Sequence, residues 1–121
     1  MSDDTRRYLL LLPAPEAEWA ELPESEHELG MENHKRFHEA LKARGHQLVM
    51  GSPLEPSARA ISMRNTGRGS ALVTDGPFTE SAEQMVGFYL VDSTDEADLL
   101  DVVRAFAEGG DHVGLRRLAT D

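Results

Sequence analysis

Cysteine is absent from the 121 residues. The absence excludes a disulfide framework, a thiolate zinc site and a cysteine nucleophile, and it fits a reducing compartment. Long apolar runs are also missing, because the only early run, Tyr8–Leu12, has five residues. That length is too short for a membrane span or for the apolar region of a signal peptide. We therefore expect a cytoplasmic protein with no membrane partner.

Basic residues are in short supply. Twelve Lys and Arg stand against 22 Asp and Glu, which gives a formal net charge of −10 at pH 7. A negative protein surface repels the phosphate backbones that nucleic-acid-binding proteins attract with Lys and Arg, so we expect no nucleic-acid partner. The length and the 40% apolar content fit one soluble domain over residues 1–121.

Apolar periodicity and turn residues predict the order strand, helix, strand, strand, helix, strand, with one inserted hairpin. The predicted elements are a strand at 6–12, an acidic helical stretch from Glu16 to Pro23, a helix at 25–44, a strand at 46–50, a β-hairpin insertion at about 58–75, a strand at 86–91, a helix between Asp95 and Gly109, and a strand at 112–118. Without the hairpin, this order is the split βαβ arrangement of ferredoxin-like folds, in the α+β class.

Helix ends carry recognisable signals. Ser25 with Glu28 forms a capping-box pattern, and Gly45 is placed as the glycine that follows a helix. Asp95, with the two hydroxyl residues before it, is a candidate N-cap for the second long helix.

The strands at 8–12 and 86–91 carry apolar side chains on both faces. Helices of a ferredoxin-like fold cover only one face of the sheet, and the other face is normally polar. An uncovered apolar face needs a partner, and a second copy of the same sheet is the simplest one. The sequence therefore predicts a homodimer in which two sheets pack face to face.

One segment carries a family resemblance. Residues 73–80, Val-Thr-Asp-Gly-Pro-Phe-Thr-Glu, together with Glu83-Gln84 and Gly87–Leu90, resemble the signature of the YCII-related, DGPF-type family. The residues that extend the resemblance are Gly51, Leu54, Pro56, Ala58, Ala60 and Arg64. The resemblance covers nearly the whole chain and implies a dimeric α+β barrel of the ferredoxin-like type. Ser52 and Val86 depart from it, where many relatives carry an acidic residue and a glycine.

The resemblance implies little about activity. Members are described as uncharacterised or as transcription-related, and some are associated with extracytoplasmic-function sigma factors. The wider superfamily includes a dehydrochlorinase of hydroxylated aromatic rings and other small-molecule enzymes with a histidine on the first helix. His34 lies at a position similar to that histidine.

Three residues are predicted to carry acid/base chemistry. With an ordinary pKa of about 6.5, His34 gives and takes protons at neutral pH. Asp75 ends a strand before Gly-Pro, where it would orient the histidine, and the Tyr89 hydroxyl would hold a substrate oxygen. The alternatives are structural: a turn carboxylate, a partly exposed helix residue and a core ring.

Ser52, Arg64 and Phe78 are predicted to bind substrate. The alternative for Arg64 is an inter-strand surface charge. His34 and His38 have the i, i+4 spacing of helical metal ligands, but an HExxH motif is missing, so we predict no metal site and no cofactor.

Two functions follow as hypotheses. The first is cofactor-independent proton transfer, by elimination or isomerisation, on a small cyclic or aromatic carbonyl or hydroxy compound. The second is a non-catalytic regulatory or binding module of a sigma-factor system, contacting a basic partner through the acidic first helix.

Overall fold

The structure, a computed structural model, describes residues 4–120. These residues form a mixed α+β fold with two antiparallel sheets and three α-helices. The elements in chain order are β1 (Arg6–Pro15), α1 (Glu16–Glu21), α2 (Glu24–Ala43), β2 (Gln47–Pro53), β3 (Ile61–Gly67), β4 (Ser70–Asp75), β5 (Glu83–Ser93), α3 (Glu96–Glu108) and β6 (Gly114–Arg117), with a 3-10 turn at Ser57–Arg59.

The larger sheet has the strand order β2-β5-β1-β6, and every neighbouring pair is antiparallel. The two central strands, β1 and β5, pair along their whole length. Leu10 lies opposite Tyr89, and Leu11 lies opposite Phe88. Because side chains alternate between faces, this register puts Tyr89 on the helix-covered face and Phe88 on the open face.

The core lies between this sheet and helices α2 and α3. Its buried residues are Tyr8, Leu10, Leu12, Phe37, Leu41, Tyr89, Val91, Leu99, Val102, Val103 and Phe106. Leu9, Leu11, Phe88 and Leu90 point to the opposite face and are only half-buried. Within residues 4–120, none of the helices has the length and apolar character needed to cross a membrane.

The helix ends test the capping predictions. The prediction for Ser25 is wrong, because α2 begins at Glu24 with Pro23 at the N-cap and no side chain caps it. The Pro23 carbonyl accepts from the amides of Glu26 and His27, so the helix starts one residue earlier. Gly45 has a φ of +82°, which confirms the glycine that ends the helix.

The cap of α3 is confirmed. The Asp95 carboxylate accepts a hydrogen bond from the Asp98 amide at 3.1 Å. This bond satisfies one of the amides that a helix start leaves without an intrahelical partner.

The two central strands are longer than predicted. β1 continues through Pro13 to Pro15, and β5 begins at Glu83, three residues before the predicted strand at 86–91. A register shift between Leu12 and Pro13 accommodates the proline, whose missing N–H cannot join a regular ladder. Proline therefore bends this strand instead of ending it.

The hairpin formed by β3 and β4 is a separate two-stranded sheet. At its base, the Ser62 hydroxyl donates to the Gly76 carbonyl at 2.6 Å, and the Gly76 amide donates to the Ala60 carbonyl at 2.6 Å. Ser62 is buried, whereas the other residues of both strands are exposed.

Candidate functional site

Two histidines of α2 converge on one tyrosine of β5. His34 Nδ1 lies 2.7 Å from the Tyr89 hydroxyl, and His38 Nε2 lies 2.8 Å from the same oxygen. Their spacing of four residues places both imidazoles on one helix face, one turn apart. Tyr89 points toward that face from the central strand, so the phenol bridges the two histidines.

A carboxylate completes the cluster. His34 Nε2 lies 3.2 Å from Oδ1 of Asp111, in the segment between α3 and β6. The buried Asn33 side chain donates to Oδ2 of Asp111 at 2.8 Å and to the Phe106 carbonyl at 2.9 Å. Asn33 therefore fixes the orientation of the carboxylate that faces His34.

The hydrogen bonds define one consistent arrangement of protons when both histidines are neutral. An ionised Asp111 only accepts, so His34 carries its proton on Nε2. Nδ1 of His34 is then an acceptor for the Tyr89 O–H. Since the tyrosine has used its only proton, Nε2–H of His38 donates to Tyr89 Oη. The result is a continuous chain of hydrogen bonds from Asp111 to His38.

The surroundings shift three pKa values in this chain. Burial raises the pKa of the Tyr89 hydroxyl, and the charge of Asp111 raises it further. Burial, followed by repulsion from His34, lowers the pKa of His38. Burial alone would raise the pKa of Asp111, but the hydrogen bonds from His34 and Asn33, together with the charges of His34 and His112, outweigh it, and the pKa is lowered. These directions favour a neutral phenol, a neutral His38 and an ionised carboxylate at neutral pH.

Aromatic rings pack around the phenol. Phe37 stacks on Phe106 with a centroid separation of 4.3 Å, and the Tyr89 ring lies 5.4 Å from Phe37. Gly51 lies opposite Tyr89 on β2, where a Cβ would overlap the tyrosine ring. A second close approach occurs at Gly109, where a Cβ would overlap the Asn33 amide. The site therefore depends on two glycines.

The cluster is partly open to solvent. The side chain of His34 is 33% exposed and that of Asp111 is 25% exposed, whereas Tyr89 is 8% exposed. His38 is exposed, and within residues 4–120 its Nδ1 atom has no hydrogen-bond partner. A small molecule can therefore reach the His38 end of the chain while the tyrosine stays in the core.

The structure joins two of the three residues predicted for acid/base chemistry, His34 and Tyr89. It does not join Asp75 to them. Asp75 is exposed at the end of β4, opposite Ile61, in the separate hairpin sheet. Asp111 provides the carboxylate beside His34 instead. The motif around Asp75 forms a turn at the hairpin base, with a φ of +102° at Gly76.

The residues predicted to bind substrate lie elsewhere. Arg64 and Phe78 are together, with the guanidinium 4.7 Å from the ring centroid and a 3.2 Å hydrogen bond to the Phe78 carbonyl. Ser52 lies opposite Phe88 and therefore belongs to the open face of the sheet, and its hydroxyl donates to the Pro53 carbonyl. None of the three contacts the histidine cluster through a hydrogen bond.

A depression of about 340 Å³ lies at the base of the hairpin. Leu54, Pro56, Pro77 and Met85 are among its lining residues, and none of the cluster residues line it. It lies beside the Asp-Gly-Pro turn, and no residue of α2 lines it. The space between α2 and the sheet is filled by core side chains, including Phe37 and Leu41.

Metal binding was the other interpretation of the histidine pair. Among residues 4–120, no group of three or more His, Asp or Glu side chains is arranged to hold a metal ion. His34 and His38 both direct a ring nitrogen at the Tyr89 hydroxyl.

Sequence reasoning missed Asp111, Asn33 and the contact of His38 with the Tyr89 hydroxyl. Asp111 is 77 residues from His34 in the chain, so spacing could not connect them. The sequence offers only weak signals for these residues. Asp111 directly follows the glycine pair that ends α3, and the polar Asn33 directly precedes His34 on an amphipathic helix.

A further histidine cluster is structural. The buried His46 lies 2.8 Å from the Ser93 hydroxyl and 2.7 Å from Oδ2 of Asp98, which also pairs with Arg44. Ser93 Oγ also accepts from the Asp95 amide. These hydrogen bonds connect the end of α2 to the start of α3. Because His46 and Ser93 are buried, neither side chain is an exposed nucleophile.

The sequence of this chain is similar to known proteins. The sequence model of the YCII-related domain matches residues 7–115. An uncharacterized protein of Rhizobium meliloti (strain 1021) is 36% identical over 61 residues, which are 50% of this chain and 48% of that protein. A crystal structure of an unknown protein from Galdieria sulphuraria matches 98% of this chain and 53% of its own, with 15% identity and a TM-score of 0.48. The matched parts thus span about half the length of each relative.

Proposed function

The chain belongs to the YCII-related domain family, and we propose that it catalyses cofactor-independent proton transfer on a small cyclic or aromatic carbonyl or hydroxy compound. Elimination and isomerisation are the reactions that such a centre serves. One observation carries the proposal: the Asp111–His34–Tyr89–His38 chain begins at a half-buried carboxylate and ends at an accessible imidazole nitrogen. General acid/base groups need access to the substrate and a hydrogen-bonded partner that can take up or supply the proton.

The arrangement gives each residue a role. His38 Nδ1 takes a proton from the substrate while Nε2–H of His38 passes to Tyr89 Oη. The phenol proton moves at the same time to Nδ1 of His34, where Asp111 stabilises the resulting positive charge. Two histidines and one tyrosine thereby hold the proton away from the substrate. The reverse sequence returns it to a different substrate atom.

Deuterium exchange tests this function without knowledge of the natural substrate. A panel of cyclic and aromatic ketones is incubated with the protein in D₂O, and loss of the α-proton signals is followed by NMR. We expect protein-dependent exchange of at least one ketone. His34→Gln and Tyr89→Phe should each slow it by about 10²-fold or more, the usual contribution of general acid/base groups.

Asp75→Asn is the matched control, since it removes an exposed carboxylate that is not part of the Asp111–His34–Tyr89–His38 hydrogen-bond chain. Exchange that is unchanged in His34→Gln and Tyr89→Phe would contradict the proposed catalysis. Thermal-shift screening of the same compounds separates binding from turnover, because a bound ligand raises the melting temperature.

A ferredoxin-like topology and a face-to-face homodimer form the second part of the proposal. The strand order β2-β5-β1-β6 and the packing of α2 and α3 over one face support this topology. The half-buried Leu9, Leu11, Phe88 and Leu90 on the other face support its pairing with a second copy. Light scattering should return a dimer at micromolar concentration.

Two variants test whether the open face of the larger sheet forms the dimer contact. Leu11→Lys should give a monomer, because a charge cannot be buried without a partner. Leu100→Lys, on the exposed side of α3, is the control that should remain dimeric. A wild-type monomer would remove the face-to-face pairing.

A further inference from the structure

The β3–β4 hairpin leaves large apolar side chains uncovered. Ile61 is 65% exposed, Met63 is 63%, Leu72 is 53% and Val73 is 57%. Met63 and Val73 lie directly opposite each other and form an apolar cross-strand pair. A two-stranded hairpin is marginally stable in water unless something packs against it. The surface therefore has the properties of a contact region.

The same hairpin is basic in an acidic protein. Residues 61–75 of the hairpin contain Arg64 and Arg68 and a single acidic residue, Asp75, at the base, and the turn before the hairpin adds Arg59. Arg59 pairs with Glu55. The Arg64 guanidinium lies over the Phe78 ring and donates to the Phe78 carbonyl, and within residues 4–120 neither Arg64 nor Arg68, at the hairpin tip, forms an ion pair. The hairpin thus carries one positive charge beside Leu72 and another at its tip, while the Met63–Val73 pair lies on the opposite face.

The region around α1 and the first half of α2 has the opposite charge. Residues 16–32 contain seven Glu and no Lys or Arg. Except for Glu16, which bonds Ser57, these carboxylates are exposed and form no ion pair within the described part of the chain. The exposed large apolar residues among them are Trp19, Leu22, Leu29 and Met31, at 39–73% exposure. This acidic segment, residues 16–32, therefore also combines charge with uncovered apolar surface.

We propose that the hairpin of one copy docks on the acidic segment of a second copy. The two surfaces carry opposite charges, and each of them exposes large apolar side chains. Complementary surface charge selects a partner and its orientation, while apolar burial supplies the affinity. Two-fold symmetry places two such contacts between the same pair of molecules.

A charge exchange between two variants tests this contact. The first variant is Arg64→Glu with Arg68→Glu, and the second is Glu28→Arg with Glu32→Arg. Sedimentation velocity should show self-association weakened by roughly tenfold or more in each variant, because every contact then faces like charges. Mixed in equal amounts, the two variants should associate with an affinity close to that of the wild type. Circular dichroism confirms that each variant is folded.

Lys42→Glu with Arg104→Glu is the matched control. It changes the net charge as the hairpin variant does, but both positions lie outside the hairpin and the acidic segment. Its self-association should remain within a factor of about two of that of the wild type. Wild-type association should weaken as salt rises, since exposed charges are screened over shorter distances.

The test separates this contact from the face-to-face pairing of the sheets. Dissociation by Leu11→Lys without any effect of the hairpin variant would overturn the hairpin contact and leave the sheet pairing intact. Failure of the mixed variants to associate would also overturn it. Restored association on mixing would establish the hairpin contact whatever the effect of Leu11→Lys.

Discussion

Gly51 and Tyr89 lie opposite each other on adjacent strands, and the tyrosine ring occupies the space that a side chain at position 51 would fill. The ring position matters because the hydroxyl at its end contacts two histidines. A glycine on an edge strand thereby controls the geometry of a hydrogen-bond chain on the neighbouring helix.

Gly51→Ala should displace the Tyr89 ring and destabilise the protein by about 1–3 kcal/mol, the usual cost of overpacking a filled core. Urea denaturation measures the change. Gly114→Ala is the control, because a Cβ there meets no atom within 4 Å. Its effect should stay within about 0.5 kcal/mol. A Gly51→Ala protein as stable as the Gly114→Ala protein would mean that the ring is not confined in this way.

Asn33→Ala should raise the pKa of Asp111. The Asn33 amide donates to the carboxylate, and this bond is one of the causes that lower its pKa. The substitution also leaves the Phe106 carbonyl without its side-chain donor, so stability should fall by about 1–3 kcal/mol. Carboxyl NMR titration measures the pKa. Asn65→Ala, in the exposed hairpin, should leave it unchanged.

Stability should fall on acidification from pH 7.5 to 5.5, partly because of His38. The folded-state pKa of His38 is below its ordinary value of about 6.5. Between the two values the unfolded state binds more protons than the folded state, so stability rises with pH through this range. Denaturant midpoints at several pH values test the sign. His38→Gln should show a smaller fall.

Asp111 extends the same trend to lower pH. Its folded-state pKa is lowered, so its contribution is present above the ordinary carboxyl pKa and is lost as the pH falls through the folded value. Asp111→Asn should therefore flatten the acid limb of the stability profile. An acid limb as steep as that of the wild type would show that this carboxylate does not contribute.

His34→Gln should raise the pKa of His38. Burial is the larger cause of the lowered value, and repulsion from His34 is the second. Without the His34 imidazole, only burial lowers the pKa of His38. Histidine NMR titration should detect the rise, and Asp75→Asn should not produce it. A lower or constant pKa in His34→Gln would argue against coupling between the two rings.

Local sequence signals predicted the elements that depend on local physics. Asp95 caps α3 because its own carboxylate reaches an amide three residues away, and Gly45 ends α2 because its φ is positive. Ser25 failed as a cap although its pattern was similar, because Pro23 already supplies the carbonyl that starts the helix. A short continuous apolar run predicted β1, but a bulge carries the strand past Pro13.

The site residues were predictable from the sequence only where the pattern that indicates them lies within a single helix or strand. His34 and Tyr89 were singled out on a helix face and a core strand, and they meet. Asp111 was not, because its contact with His34 depends on how α3 packs beside α2. Asp75 lies in a conspicuous motif, but that motif builds the turn at the base of the hairpin. A conspicuous sequence motif therefore did not indicate which residues lie near the histidine cluster.

The proton positions on His34 and His38 test the account most directly. Long-range proton–nitrogen NMR spectra at a pH where both rings are neutral identify which nitrogen of each ring carries the proton. The hydrogen-bond chain predicts Nε2–H for His34, facing Asp111, and Nε2–H for His38, facing Tyr89. A proton on Nδ1 of His34, or rings that exchange freely between both forms, would contradict the chain and the acid/base function proposed from it.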